Sequence, residues 1–159
     1  MKQLLETDTE TEPSTQVIAN ELAAYLDKQN ALCNALEDIA DSFPEDVDPQ
    51  RCLRMAMSVI PLVHAAHRFE EETLFGVLKE TQDQDGQLEH VLDRLHGEHL
   101  EDESFAEEVT ECLREIAGGK QENFEKAGYM MRGFFEGLRR HIAFERDHIL
   151  PMLTAGAKS

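Results

Sequence analysis

The chain has no tryptophan and two tyrosines, and only 15 lysines and arginines stand against 33 aspartates and glutamates. The resulting formal charge of −18 repels a phosphate backbone, so nucleic acid is excluded as a partner on electrostatic grounds. Long apolar runs are missing as well. No stretch approaches the roughly 18 consecutive apolar residues of a membrane span, and no membrane role is expected. The first residues, MKQLLETDTETEPSTQ, lack the apolar core of a secretory signal, which makes a cytoplasmic protein the expectation. Three cysteines, Cys33, Cys52 and Cys112, include no C-x-x-C pair and read as reduced thiols packed in a core.

What the chain does have is helical periodicity. Its 159 residues suit one domain. Residues 1–15 read as an acidic tail, disordered or loosely docked, and 16–155 as four long helices. The first is expected over about 15–41, stopping at SFPEDVDP. Asp48 as N-cap with Pro49 in the first turn starts the second, which continues to about residue 81 with a kink at Pro61. The segment QDQDG connects it to a third helix over about 87–117, which ends at Gly118–Gly119. A fourth occupies roughly 121–153. No alternating strand pattern is present. The fold class is all-α, an antiparallel up-down-up-down four-helix bundle.

Counting along each helix gives an inward line. The first reads Ile18, Leu22, Tyr25, Gln29, Leu32, Leu36, Ile39. The second reads Leu53, Met57, Ile60, His64, His67, Glu71, Leu74, Leu78. The third reads Leu88, Leu92, Leu95, His99, Asp102, Ala106, Val109, Leu113, Ile116. The fourth reads Phe124, Ala127, Met131, Phe134, Leu138, His141, Glu145, His148, Met152. Each line is apolar apart from one polar patch, and in an up-down bundle the four patches meet at one level. Glu70 and Glu72 fall on the solvent side of this count, and His90 and His96 on the rim.

Unpaired carboxylates in such a core would cost several kcal/mol each, and a bound cation is the simplest compensation. His67–Glu71 and His141–Glu145 are i, i+4 pairs, each projecting an imidazole and a carboxylate from one helix face. Histidine and carboxylate inside a four-helix bundle suit non-haem iron or manganese, and the ligand types leave zinc open.

HRFEEETLFGVL and HIAFERDHILPML resemble the two H-x-x-x-E halves of hemerythrin-like (HHE) cation-binding domains. RLHGEHLEDESFAEEV is similar to that family's third-helix segment, which places His99 on its third-helix histidine. The resemblance covers about residues 20–153. It implies a di-iron centre bridged by Glu71 and Glu145, with His67, His99 and His141 as terminal ligands. The family usually supplies a further histidine from the first helix. Aligning QNALCNALEDIAD puts Gln29 at that place, and the substitutes within reach are His64, three residues before His67, and His148, three after Glu145.

Members of the family carry oxygen, sense oxygen, nitric oxide or iron, or help repair iron–sulfur clusters. The resemblance therefore implies a protein that binds or senses a small diatomic or peroxide ligand, or responds to iron. The alternatives are an iron-dependent repair enzyme with peroxidase- or ferroxidase-like turnover, and a metal-poor bundle that acts through a protein partner.

Overall fold

In a computed structural model, residues 14–82 and 86–155 are described. The stretch read as a tail lies, through residue 13, outside them, as do residues 83–85 of the QDQDG connection.

Among the described residues four helical rods follow one another. α1 is Thr15–Asp41, capped by Ser14, whose hydroxyl accepts from the Val17 N–H at 3.3 Å. α2 starts at Pro49 behind Asp48, whose carboxylate accepts from the Gln50 and Arg51 N–H groups at 3.0 and 3.3 Å. Its first segment, Pro49–Phe69, runs on through Pro61 and passes into a π-helical turn, Glu70–Leu74, then a final α-helical stretch, Phe75–Gln82. α3 is Gln87–Ala117 and stops at the Gly118–Gly119 pair, where Gly119 has φ +70°. α4 comprises Phe124–Phe144, a second π-helical turn, Glu145–Ile149, and Leu150–Ala155. It starts three residues later than its periodicity predicts, because the Asn123 side chain takes the N-cap and accepts from the Lys126 N–H.

Side-chain pairs set the directions. Arg132, Arg139 and Arg146 of α4 reach Asp41, Glu37 and Asp27 of α1, one number rising as the other falls. Tyr25 stacks on Phe69, with ring centroids 5.0 Å apart, while Arg51 meets Asp38, so α1 and α2 are antiparallel too. His67 meets Glu103 across α2 and α3, and Phe105 stacks on Phe134 across α3 and α4. The rods form a ring, α1–α2–α3–α4, in the up-down order, with the longest seams between α2 and α3 and between α1 and α4. Cys33, Cys52 and Cys112 are buried, unpaired thiols within the core.

The α2 line differs from the one counted in the sequence. Its buried residues are Cys52, Ala56, Val59, Val63 and Ala66, whereas Leu53 is 49% and Met57 70% exposed and His64 is exposed. The π turn is the cause. A turn closed by i→i+5 bonds holds one residue more than an α-turn, so a straight count carried back from Leu74 and Leu78 lands one position late, at Glu71, His64, Ile60, Met57 and Leu53, while His67 is buried beside Ala66. In α4 the same effect runs forward: Glu145 is followed on the core side by Ile149 and Leu153, not by His148 and Met152.

Candidate metal centre

Both π turns open on a buried glutamate. The Phe75 N–H donates to the Glu70 carbonyl and the Leu150 N–H to the Glu145 carbonyl, each five residues back. The local sequences EEETLFG and ERDHILP share this frame, with an acid first and large apolar residues at the fifth and sixth places. Widening one turn lets the glutamate face the core while Leu74 and Leu78, or Ile149 and Leu153, stay on the same side. Glu70 and Glu145 are both 0% exposed.

Glu70, His99, His141 and Glu145 each bring one potential ligand atom to within 4.8 Å of all the others. His99 Nε2 lies 2.6 Å from Glu70 Oε2, and His141 Nε2 lies 3.2 Å from Glu145 Oε1 and 4.0 Å from Glu70 Oε2. None of these atoms is aligned to make a hydrogen bond, so they crowd about a common point without satisfying one another. The His67 ring stacks on His99, with centroids 3.9 Å apart and planes 15° from parallel, and its Nε2 is likewise buried and unpartnered. Gln29 is fully buried with neither amide atom paired. The Asp27–Arg146 and Tyr25–Phe69 contacts place it at the height of Glu145 and Glu70.

The opposite nitrogen of each core histidine is anchored. His67 Nδ1 donates to Glu103 at 3.1 Å, His99 Nδ1 to Glu71 at 3.1 Å, and His141 Nδ1 to Glu98 at 3.2 Å. A carboxylate accepts only, so each contact keeps the proton on Nδ1 and turns the Nε2 lone pair inward, the arrangement that outer partners impose on metal-binding histidines.

Burial would lower the pKa of His141, but the carboxylates of Glu145 and Glu70 outweigh it and carry the imidazole up to about 11. Burial and the adjacent charge of Glu70 push Glu145 up to about 8. Burial opposes ionisation of Glu70 too, yet the imidazoles of His141 and His99 hold its carboxyl well below the usual range. His67 is lowered to about 4 by burial and by the His99 charge against its face, so it is neutral at pH 7. Without a cation, protons on His141 and Glu145 offset the buried charge. Burial works against a proton on His99 too, but the Glu70 and Glu71 carboxylates outweigh it and His99 holds its own proton more tightly than usual.

Those protons do not satisfy the site. Among the described residues nine buried side-chain atoms of Gln29, His67, Glu70, His99, His141 and Glu145 have no hydrogen-bond partner. Each such group costs ~1–3 kcal/mol where nothing compensates it, and the ion-pair contacts of His99 Nε2 with Glu70 and of His141 Nε2 with Glu145 compensate only in part. A cation taking several donors at once removes that penalty, and imidazole nitrogens with carboxylate oxygens are its proper donors.

Three expectations are corrected by this geometry. Glu71 does not face the core: its side chain is 34% exposed and bridges His99 to the exposed His96, while Glu70, expected in solvent, takes the inner place. His64 and His148 are exposed, the first because α2 is rotated ahead of its π turn, the second because α4 is rotated after its own. His148 instead lies against the Phe144 ring. His67, His99, His141, Glu145 and Gln29 all lie in the buried polar cluster. Glu98 and Glu103, the anchors of His141 and His67, were not singled out as partners by counting. The signal for Glu70 was available in the parallel between EEETLFG and ERDHILP.

A four-helix bundle with buried imidazoles and carboxylates gathered about one point is the build of a metal-binding protein. Comparison with known families agrees: the chain belongs to the hemerythrin HHE cation-binding domain family, whose model matches residues 18–153. No curated protein and no solved structure gives a match. Among the described residues, no helix is long and apolar enough to cross a membrane.

Proposed function

We propose that the chain is a non-haem iron protein whose di-iron centre binds, and thereby senses, a small ligand such as oxygen, nitric oxide or peroxide. The observation that carries this reading is the buried set of unpartnered donors, with Glu70, His99, His141 and Glu145 at its heart. Iron held there supplies a redox-active Lewis acid able to take an exogenous ligand. The chain's own residues do the rest. Glu71, Glu98 and Glu103 fix the imidazole orientations, and the Phe75 ring lies over His99, with centroids 6.0 Å apart.

A cavity of about 400 Å³ between α3 and α4, lined by Arg94, Glu98, Asp102, Gly137, His141 and Phe144, reaches the edge of the site and supports access by a small molecule. A larger cavity of about 460 Å³ around Phe43, Pro44, Phe124 and Tyr129 touches none of the cluster residues.

Metal analysis and absorption spectra of the chain purified with and without oxygen test the proposal. The expected result is bound iron whose near-ultraviolet and visible bands change when oxygen, nitric oxide or peroxide is added. Absence of iron after growth with excess iron overturns it. Catalytic consumption of peroxide or ferrous iron beyond that of free iron would replace sensing by turnover.

A further inference from the structure

The two π turns allow position-by-position comparison. Glu70 corresponds to Glu145, and the position four residues earlier is His141 in α4 but Ala66 in α2. The α2 histidine is His67, one position on, and this moves its ring out of the four-donor group and flat against His99. The centre is therefore lopsided. Ligands at about 2.0–2.2 Å from one ion stand up to about 4.4 Å apart across it, so four donors already within 4.8 Å need little contraction to hold a single cation. What remains for a second ion is His67 Nε2, the Gln29 amide and the second oxygens of Glu70 and Glu145, all buried and unpartnered.

We infer that the centre consists of two unequal cation sites: a tight one made by Glu70, His99, His141 and Glu145, and an exchangeable one completed by His67 and Gln29. The inference rests on the metal-binding reading above and adds to it an order of loading. The weaker site has one imidazole and a neutral amide oxygen, a poorer donor than imidazole or carboxylate for a transition-metal cation. The second divalent ion enters last and leaves first.

Titration of the metal-free full-length chain with ferrous iron under nitrogen, and with Zn²⁺ as a redox-silent probe, tests this in competition with a chromophoric chelator. Two equivalents should bind, with affinities about tenfold or more apart, as weakening the surroundings of a metal typically produces. His67→Ala should keep the first equivalent and lose the second. Gln29→Glu, nearly the same shape with an added charge, should narrow the gap between them. Should His67→Ala fail to fold by circular dichroism, Gln29→Glu decides alone, and an unchanged gap overturns the inference. Two equivalents leaving together, saturation at one equivalent, or loss of the first ion from a folded His67→Ala also overturns it. A wild-type chain that binds no ion at all overturns the metal reading itself, which is a separate failure.

Discussion

α3 has a close neighbour on one side and a distant one on the other. The core line of α2 is a row of small side chains, Cys52, Ala56, Val59, Val63 and Ala66, and α2 and α3 lie together along most of their length. The core line of α4 is bulkier, with Met131, Phe134 and Leu138, of which Phe134 stacks on Phe105 of α3, and around Gly137 a cavity of about 400 Å³ opens between α3 and α4. Helix separation follows the size of the side chains between the axes. The close seam is where His67 can lie flat on His99; the open one is where His141 has an edge near solvent. Rigidity and access are thus assigned to opposite sides of the same histidine-bearing helix.

The strongest way to break this contrast is at the π turns. Glu70→Ala and Glu145→Ala should each abolish metal loading, measured as metal per chain after gel filtration. Glu71→Ala should retain metal with affinity lowered about 10–100-fold, the loss typical of an outer partner. If Glu71→Ala emptied the site while Glu70→Ala left it full, α2 would be turned the wrong way.

A smaller effect sharpens the open side. The raised pKa values of His141 and Glu145 in the metal-free chain, about 11 and about 8, mean that metal must displace their protons. Groups whose folded pKa is raised contribute stability below their ordinary values, 6.5 and 4.5, and lose it as pH rises through the folded ones. Raising the pH from 6 to 8 therefore weakens the metal-free chain and tightens metal binding together. The increase in Tm on loading should be larger at pH 8 than at pH 6, and proton release should be seen in weakly buffered dye solution. An equal or smaller increase at pH 8 would contradict the protonation states described.

The smallest effect tests which face α2 turns inward. Val59→Ala should destabilise the chain by about 2 kcal/mol in urea unfolding, two buried methyl equivalents plus a small void. Met57→Ala, at 70% exposure, should change stability by less than about 0.5 kcal/mol. Reversed magnitudes would restore the straight-helix count.

That straight count explains what was legible and what was not. α1 and α3 are unbroken α-helices with clear stops, and both their boundaries and most of their inward lines, Gln29 and His99 included, follow from 3.6-residue periodicity. Tyr25 and Asp102 are only partly buried. In α2 and α4 one turn holds an extra residue, which a count of regular apolar spacing passes over and only the side-by-side reading of EEETLFG and ERDHILP would mark. The error is one residue on the far side of each turn, enough to exchange Glu70 for Glu71 and to turn His64 and His148 inward on paper. The carboxylate anchors were missed for another reason: Glu98 and Glu103 belong to the charged outer part of α3, and only the tertiary fold sets them against His141 and His67.

Arg132, Arg139 and Arg146 are spaced seven residues apart, two turns of helix, with Arg139 gripping both Glu37, at 3.0 Å, and Asn34, at 2.8 Å. Pairs as exposed as these hold little weight individually. Together they work as a vernier scale. Sliding α4 past α1 by one turn would break at least two of the three pairs at once, Arg146–Asp27 among them, so the observed setting is the one that joins all three. That setting presents Gln29 to the site at one depth, and any exchange at position 29 would be felt as a change of chemistry at a fixed height.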